Sequence, residues 1–423
     1  MELRLSIKET IIVKPLQLFK RQTIELSGLD RISPAILYTV FFYKSNDLTV
    51  NDELFTQGDI DRDDHVERAK KALQKVLIPW YPAAGRFRIN EGSGKLEIDC
   101  NNQGVVFVSA VADSKLEELG RLHEYKTCYE NLVPVLFPEA SDVSENPIAV
   151  IQITRFACGG IAIGFGGSHA LFDGIGAFNF LSSWAHISSG KDEYSETMQP
   201  NHSRDALLSA IHSPNSSHTA AASIYEQDHI TAIQDLYGIP MQAMASDDRC
   251  WETALAKFRQ VDDPQGGVLE LVNLAMAKET IETWKRLAIE RGKLSKCSTF
   301  DVLCAHVWKN NLYMKPSAKS NKQNEITDEY IKLYVRALEA SDKFFPSMRE
   351  LTIVADWTRF PFHALDFGWG KVSDAAILST PVPETAFLML NLEEPAGGFL
   401  VRIGIGRQYL HDLISNFNNL NYI

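Results

Sequence analysis

The residues best suited to chemistry lie among glycines near the middle of the chain. The segment Gly164–Gly176 reads GFGGSHALFDGIG and begins within the strand-like run Ile161–Phe165. Its histidine, His169, therefore leaves the end of a strand, where glycines allow close backbone approach or a positive φ. An imidazole titrates near neutral pH, so His169 could take a proton from an alcohol or amine as a general base. The alternative is a purely structural histidine.

Asp173 and Ser168 flank this histidine, and each has a structural and a functional interpretation. Asp173 could cap a helix that begins at Gly174 by accepting backbone N–H hydrogen bonds, or it could orient the histidine loop. Ser168 lies in Gly166–Ala170, one residue short of a G-x-S-x-G nucleophile elbow, and is interpreted as a loop serine rather than a hydrolase nucleophile. A metal site is not favoured, because His169 and Asp173 have no third ligand nearby in the sequence.

A second unusual stretch, Asp366-Phe367-Gly368-Trp369-Gly370, lies towards the C-terminus. It supplies one carboxylate and two aromatic rings on a short loop that contains two glycines. We interpret it as a structural turn that packs Phe367 and Trp369 inward. No G-x-x-x-x-G-K-[ST] loop occurs in the chain, so no nucleotide-binding signature competes with these two stretches.

Helical and strand periods alternate along the chain, which is typical of α/β domains. The strand patterns Ala149–Phe156 and Ile161–Phe165 are separated by a Cys-Gly-Gly turn and predict a hairpin. Apolar residues at helical spacing follow in Ala177–Ile187, so His169 is expected on a strand–loop–helix turn. Further helices are predicted over 66–77, Glu279–Arg291, Ser298–Lys309, 328–340 and the C-terminal residues 410–417. The first of these has an apolar stripe at helical spacing, and Ser298 is a cap candidate for the helix that it begins.

The length of 423 residues favours two domains. Residues 187–222 are rich in Ser, His and Asn and poor in apolar residues, which predicts a crossover loop. This places an N-terminal domain at 1–186 and a C-terminal domain at 223–423.

Composition excludes several classes of function. The formal charge of −12 has the wrong sign for binding a nucleic-acid backbone. The six cysteines are scattered without a C-x-x-C pair, as expected for reduced thiols in the cytoplasm. Neither a signal peptide nor a stretch of roughly 20 apolar residues is present, so no membrane association is expected.

Together the two glycine-rich stretches resemble the motifs of the plant BAHD acyltransferase family. The H-x-x-x-D-G motif corresponds to His169–Gly174, and the D-F-G-W-G motif corresponds to Asp366–Gly370. Further resemblances, in chain order, are Leu26–Asp30, Trp80–Arg86, Asp99–Asn101 and Ser298–Trp308. The resemblance implies an α/β fold of two chloramphenicol-acetyltransferase-like domains, each a mixed sheet flanked by helices, with the active site at their interface.

The resemblance also implies an activity. An acyl group, hydroxycinnamoyl or a related aromatic acyl, would move from a coenzyme A thioester to the hydroxyl or amine of a small plant metabolite. His169 would be the general base and Asp173 would hold the catalytic loop, while Asp366–Gly370 would be a structural motif near the coenzyme site. Acyl-coenzyme A would be a co-substrate, no cofactor would be bound permanently, and the enzyme would be a monomer.

The chain departs from the family pattern between Trp308 and the helix expected near Asp328. Family members carry there a strand-rich segment with an Arg-containing run and a Gly-Asn motif, whereas this chain has only Lys309–Thr327. The C-terminal domain is therefore expected to be shortened around 309–327, by mis-splicing or in a reduced paralogue. The departure raises an alternative function: a non-catalytic member that acts as a binding or accessory protein.

Overall fold

The structure is a computed structural model. It describes residues 3–31, 36–45, 64–134, 143–190, 199–204, 241–243, 269–292, 294–314, 344–346, 353–378, 385–391 and 397–417. The helix predicted over 328–340, most of 309–327 and most of 187–222 lie outside these residues.

The chain divides into two compact units. Unit 1 comprises Met1–Ser209 and Phe360–Ser379, and unit 2 comprises Ala210–Arg359 and Thr380–Ile423. Residues 360–379, which the sequence placed with the C-terminal half, therefore group with unit 1. The domain limits 1–186, 187–222 and 223–423 stay a prediction.

The described elements are both strands and helices. The strands are β1 (Leu5–Val13), β2 (Gln22–Glu25), β3 (Ile36–Tyr43), β4 (Arg86–Ile89), β5 (Leu96–Cys100), β6 (Val105–Ala112), β7 (Ala149–Arg155), β8 (Ile161–Ser168), β9 (Met241–Ala243), β10 (Leu269–Ala277), β11 (Phe344–Pro346), β12 (Ile353–Asp356), β13 (Asp374–Ile377), β14 (Thr385–Leu390) and β15 (Gly398–Gly406). The helices are α1 (Gly28–Arg31), α2 (Asp64–Val76), α3 (Gly174–Ser188), α4 (Lys278–Gly292), α5 (Thr299–Met314) and α6 (Leu410–Phe417).

Unit 1 is built on a six-stranded sheet in the order β1-β6-β7-β8-β3-β13. The β6–β7 pair is parallel and the other pairs are antiparallel, so the sheet is mixed. The predicted hairpin is confirmed, with Ala149 of β7 opposite Gly167 of β8. All of β8 is buried, and α3 follows it after a short turn. A second, three-stranded sheet has the order β2-β5-β4.

Helices α2 and α3 pack against each other in unit 1. The predicted apolar stripe of α2 is buried at helical spacing, with Ala69, Leu73 and Val76 fully enclosed. The indole Nε1 of Trp184 in α3 donates to the carbonyl oxygen of Ala69 at 2.7 Å. This hydrogen bond satisfies the polar atom of a fully buried indole and fixes α3 along α2.

Unit 2 has a four-stranded sheet in the order β10-β15-β14-β12, in which only the described pair β12–β14 is parallel. Side chains of the sheet and of α4, α5 and α6 form one apolar core, which includes Trp284, Leu303 and Phe417. The cap predicted at Ser298 is confirmed: Asp301 N donates to Ser298 Oγ at 3.1 Å, and Ser298 N donates in return to Asp301 Oδ2 at 2.8 Å. A mixed sheet with helices is therefore present in each unit.

Candidate active site

His169 lies on the turn between β8 and α3. The carbonyl oxygen of Ser168 accepts hydrogen bonds from Leu171 N at 3.0 Å and Phe172 N at 2.9 Å, which closes the turn. Ala170 and Phe172 are buried, whereas His169 is only half-buried. The turn therefore leaves the imidazole partly reachable between buried neighbours.

Two glycines at the end of β8 make room for the rings that support this turn. A Cβ on Gly166 would lie 2.6 Å from the Tyr38 ring, and one on Gly167 would lie 2.8 Å from the Phe165 ring and 2.9 Å from Phe172. No glycine of 164–176 has a positive φ. Of the two roles that the sequence left open for these glycines, close approach is confirmed and positive φ is wrong.

An aromatic cluster lies beneath the turn. It consists of the four buried rings of Trp80, Phe165, Phe172 and Phe180. Neighbouring ring centroids are 5.4–5.9 Å apart, as in favourable aromatic pairs. Because this packing is dense and apolar, it gives the turn a rigid base.

Asp173 caps α3. Its backbone is extended, with φ −73° and ψ 179°, and its Oδ1 accepts from Gly176 N at 2.6 Å. Its carbonyl oxygen accepts from Ala177 N at 2.8 Å, the first intrahelical bond. The predicted N-cap is therefore confirmed, and the carboxylate is used to hold the helix start directly after the histidine turn.

Ser168 is the last residue of β8 and is fully buried. Its Oγ accepts from Ala170 N at 3.4 Å within the turn. A hydroxyl without solvent exposure cannot reach a substrate carbonyl in the folded protein. The structure therefore contradicts the serine-hydrolase alternative and agrees with a structural serine.

Arg204 lies beside the histidine turn and was missed from the sequence. Its Nε donates to Asp30 Oδ2 at 3.3 Å, its Nη1 to the His202 carbonyl at 2.9 Å and its Nη2 to the Ala170 carbonyl at 3.5 Å. The only local signal was a single arginine in the polar run QPNHSRD, within the predicted crossover. Two of its partners, Asp30 and Ala170, are 174 and 34 residues away in the sequence, so that signal could not identify them.

His202 is a second histidine near this turn. Burial lowers its pKa, and its Nε2 lies 2.8 Å from the Pro79 carbonyl oxygen. The ring also packs edge-on against Trp80 and Tyr81. A neutral imidazole whose Nε2–H donates to a carbonyl fits a structural role, so His169 is the better candidate base.

The Asp366–Gly370 loop is held by its own carboxylate. Asp366 Oδ1 accepts from Gly368 N at 2.8 Å and from Gly370 N at 3.0 Å. Gly368 and Gly370 have φ values of +91° and +116°, which favour glycine. Phe367 and Trp369 are each 1% exposed, and their rings stack at 5.3 Å. The predicted inward packing of both rings is confirmed.

This loop packs near the opposite end of α3 from His169. Phe367 meets Trp184 edge-on at 4.7 Å, and the space beside Gly368 is filled by the Cα of Ser189, the C-cap of α3. A helix of 15 residues is about 22 Å long, and His169 precedes its first residue. The structure therefore places both motifs in unit 1 but does not bring the loop to the histidine.

Two general features of the described residues bear on function. No cluster of three or more His, Cys, Asp or Glu side chains among them is arranged to hold a metal ion. In this part of the chain, every helix is too short or too polar to cross a membrane.

Known sequences match this chain over most of its length. The family model described as "Transferase family" matches residues 3–324. "Brassinosteroid-related acyltransferase 1" from Arabidopsis thaliana is 33% identical over 458 positions and 94% of each chain. "Omega-hydroxypalmitate O-feruloyl transferase" from the same plant is 26% identical over 89% of this chain and 83% of its own. Because 458 positions exceed 423 residues, the first relative has segments that this chain lacks.

Solved structures match the fold. The crystal structure of vinorine synthase superimposes with a TM-score of 0.62 and 19% identity, over 97% of this chain and 98% of its own. TRI101 of F. graminearum, complexed with coenzyme A and deoxynivalenol, gives a TM-score of 0.63 and 13% identity over 93% of this chain and 97% of its own.

The mixed sheets and these structural matches define a two-domain fold of the chloramphenicol-acetyltransferase type, as the sequence predicted. The sequence matches define the family more narrowly. The chain belongs to the BAHD acyltransferases, which transfer acyl groups from acyl-coenzyme A. Coenzyme A thioesters are thus its co-substrates.

Proposed function

We propose that this protein transfers an aromatic acyl group of the hydroxycinnamoyl type from coenzyme A to the hydroxyl or amine of a small plant metabolite. His169 is the general base. The observation that carries this proposal is the half-buried imidazole on a turn whose neighbouring side chains, Ser168 and Ala170, are buried. A rigid turn that leaves one basic group reachable is suited to proton transfer.

The reaction needs one proton-transfer group. His169 takes the proton of the acceptor O–H or N–H as the acceptor oxygen or nitrogen attacks the thioester carbonyl carbon. When the tetrahedral intermediate collapses, the C–S bond breaks and the imidazolium returns the proton to the coenzyme A thiolate. The new ester or amide and free coenzyme A leave, and no bond to the enzyme forms.

The other residues of the two motifs have structural roles. Asp173 holds the start of α3 so that the histidine turn keeps its shape. Asp366–Gly370 acts through folding, and the proximity of this motif to the coenzyme stays part of the proposal. The feruloyl transferase similar to this chain supports an aromatic acyl donor. We also propose that the enzyme is a monomer in the cytoplasm, which sedimentation and cell fractionation would test.

The proposal is tested by binding and by turnover. Calorimetric titration of the purified protein with p-coumaroyl-coenzyme A measures donor binding without knowledge of the acceptor. A panel of phenolic, aliphatic and amine acceptors is then assayed for acceptor-dependent release of coenzyme A by wild type, His169→Ala and His411→Ala. His411 is the matched control, because its side chain is 94% exposed in unit 2.

We expect saturable donor binding by all three proteins and turnover that only His169→Ala loses. Turnover that survives in His169→Ala would refute the role of the histidine. A folded wild-type protein that neither binds nor turns over any thioester would instead support the non-catalytic alternative.

A further inference from the structure

Arg204 connects its own segment, which includes His202, to two segments of unit 1 that are distant in the sequence. Its side chain is only 12% exposed, and its nitrogens meet Asp30 of α1, the carbonyl of His202 and the carbonyl of Ala170 in the histidine turn. Immobilising an arginine side chain costs conformational entropy. An arginine that is held by three partners is therefore expected to have a specific role.

Asp30 is fixed before it meets Arg204. Its Oδ2 accepts from both the N and the Oγ of Ser27 at 2.9 Å, which forms a capping box at the start of α1. Ser27 itself is fully buried. The Asp30 carboxylate is therefore held in place against the core of unit 1. Its ion pair with Arg204 in turn holds the guanidinium in place.

The contact with Ala170 lies next to the proposed base. Within the turn, the N–H groups of Ala170, Leu171 and Phe172 all bond to Ser168. The Ala170 carbonyl instead faces Arg204 Nη2 at 3.5 Å, a long contact in which the positive charge attracts the carbonyl dipole. This contact connects the peptide that follows His169 to a residue outside the β8–α3 segment.

From these contacts we infer that Arg204 is a positioning residue for acyl transfer, which ties the backbone of the His169 turn to the anchored carboxylate of Asp30. The inference rests on the proposed role of His169. Arg204 touches neither substrate nor the reacting atoms in this scheme; it acts by keeping the imidazole in the geometry for proton transfer. Small misplacements of a catalytic group can reduce rates by about 100-fold.

The experiment compares kcat, KM and unfolding midpoint for six proteins: wild type, Arg204→Met, Arg204→Lys, Asp30→Asn, the double variant of Asp30→Asn with Arg204→Met, and Asp301→Asn. Asp301 is the matched control, because it forms the same capping box with Ser298 but lies in unit 2. Arg204→Ala is assayed with and without millimolar guanidinium chloride, which can refill the site of the missing group.

We expect Arg204→Met to lower kcat by about 10- to 100-fold with KM for the acyl-coenzyme A unchanged within twofold. Arg204→Lys keeps the positive charge but loses the several N–H donors of the planar guanidinium, so its kcat falls less than that of Arg204→Met. Asp30→Asn lowers kcat, whereas Asp301→Asn does not. The effects of Asp30→Asn and Arg204→Met are less than additive in the double variant, and guanidinium restores part of the activity of Arg204→Ala.

If the wild type turns over and the kcat of Arg204→Met is within twofold of the wild-type value, this inference is overturned but the proposed function is not. So does a loss in which KM and the unfolding midpoint change along with kcat and neither lysine nor guanidinium restores activity, because that pattern indicates a general folding role. If Arg204→Met does not fold, Arg204→Lys and Asp30→Asn decide the question by the same criteria. Absence of wild-type turnover overturns the proposed function and this inference with it.

Discussion

Two glycine-rich motifs lie near opposite ends of α3, and they use glycine in opposite ways. In the His169 turn, Gly166 and Gly167 have ordinary φ values and make room for aromatic rings beneath the backbone. In the Asp366–Gly370 loop, the glycines take positive φ and the aromatic rings belong to the loop itself. The first arrangement leaves a polar side chain reachable, whereas the second buries everything except its carboxylate and part of its backbone.

The His169 turn is expected to affect the rate of acyl transfer, and the Asp366–Gly370 loop is expected to affect the stability of the fold. A group that is partly exposed contributes little to the core, so its removal should affect chemistry and leave folding intact. Rings that are buried contribute to the core, so their removal should affect folding and leave the chemistry of correctly folded molecules intact. Each of the following substitutions tests one side of this contrast.

The largest effect is expected from His169→Ala. Loss of the general base should reduce kcat by about 100- to 10,000-fold, because acceptor deprotonation then depends on water. The unfolding midpoint should stay within a degree or two of wild type, as expected for a half-buried side chain. Assays of coenzyme A release, paired with thermal unfolding followed by circular dichroism, measure both. A large fall in the midpoint would remove the contrast between the two motifs.

Next in size is Trp369→Ala, which should lower the free energy of unfolding by about 3–5 kcal/mol by leaving a cavity beside Phe367 and Tyr43. Activity per folded molecule should be retained. Trp369→Phe is the control: the buried Nε1 makes no hydrogen bond within the described residues, so its removal costs none. Denaturant titration gives the free energies. Equal losses for the two variants would show that cavity formation is not the cause.

Gly368→Ala should cost about 1–3 kcal/mol, because an alanine at φ +91° is strained and its Cβ would lie 3.0 Å from Ser189 Cα. Gly94→Ala provides the matched control. Gly94 has φ +70° but no atom within 4 Å of the added Cβ, so it reports the strain without the crowding. Denaturant titration of both variants tests the difference, and a cost no greater at Gly368 than at Gly94 would contradict it.

The smallest effect is expected from Asp173→Ala, which removes the N-cap of α3 and should cost about 1 kcal/mol. Asp173→Asn retains an acceptor and should cost only a few tenths of that. Because the cap is adjacent to the histidine turn, kcat should fall with the alanine variant more than with the asparagine variant. Chemical denaturation and steady-state rates test this order; equal losses of kcat would indicate a role for the negative charge.

Local patterns in the sequence were enough to predict the hairpin, the strand–turn–helix around His169 and the caps at Asp173 and Ser298. Each of these depends on residues close together in the chain, where propensity and hydrogen-bonding partners can be read directly. The inward rings of the Asp366–Gly370 loop were predictable for the same reason, since their hydrophobicity left few alternatives.

Long-range pairings were not predictable in this way. Strand β13 has four residues and no distinctive alternation, and its partner β3 was not recognised. The contacts of Arg204 with Asp30 and Ala170 join positions that no spacing rule connects. Neighbours of this kind are set by the packing of the whole unit, so a single sequence gives no local signal for them.

The late position of β13 has a consequence for synthesis on the ribosome. Thr39 of β3 pairs with Ile377 of β13, so that edge of β3 has no native partner until translation has passed residue 377. At about 5–20 residues per second, this interval lasts roughly 20 to 70 s. An unpaired strand edge readily pairs with other chains, so the nascent protein is expected to need chaperone protection during that time.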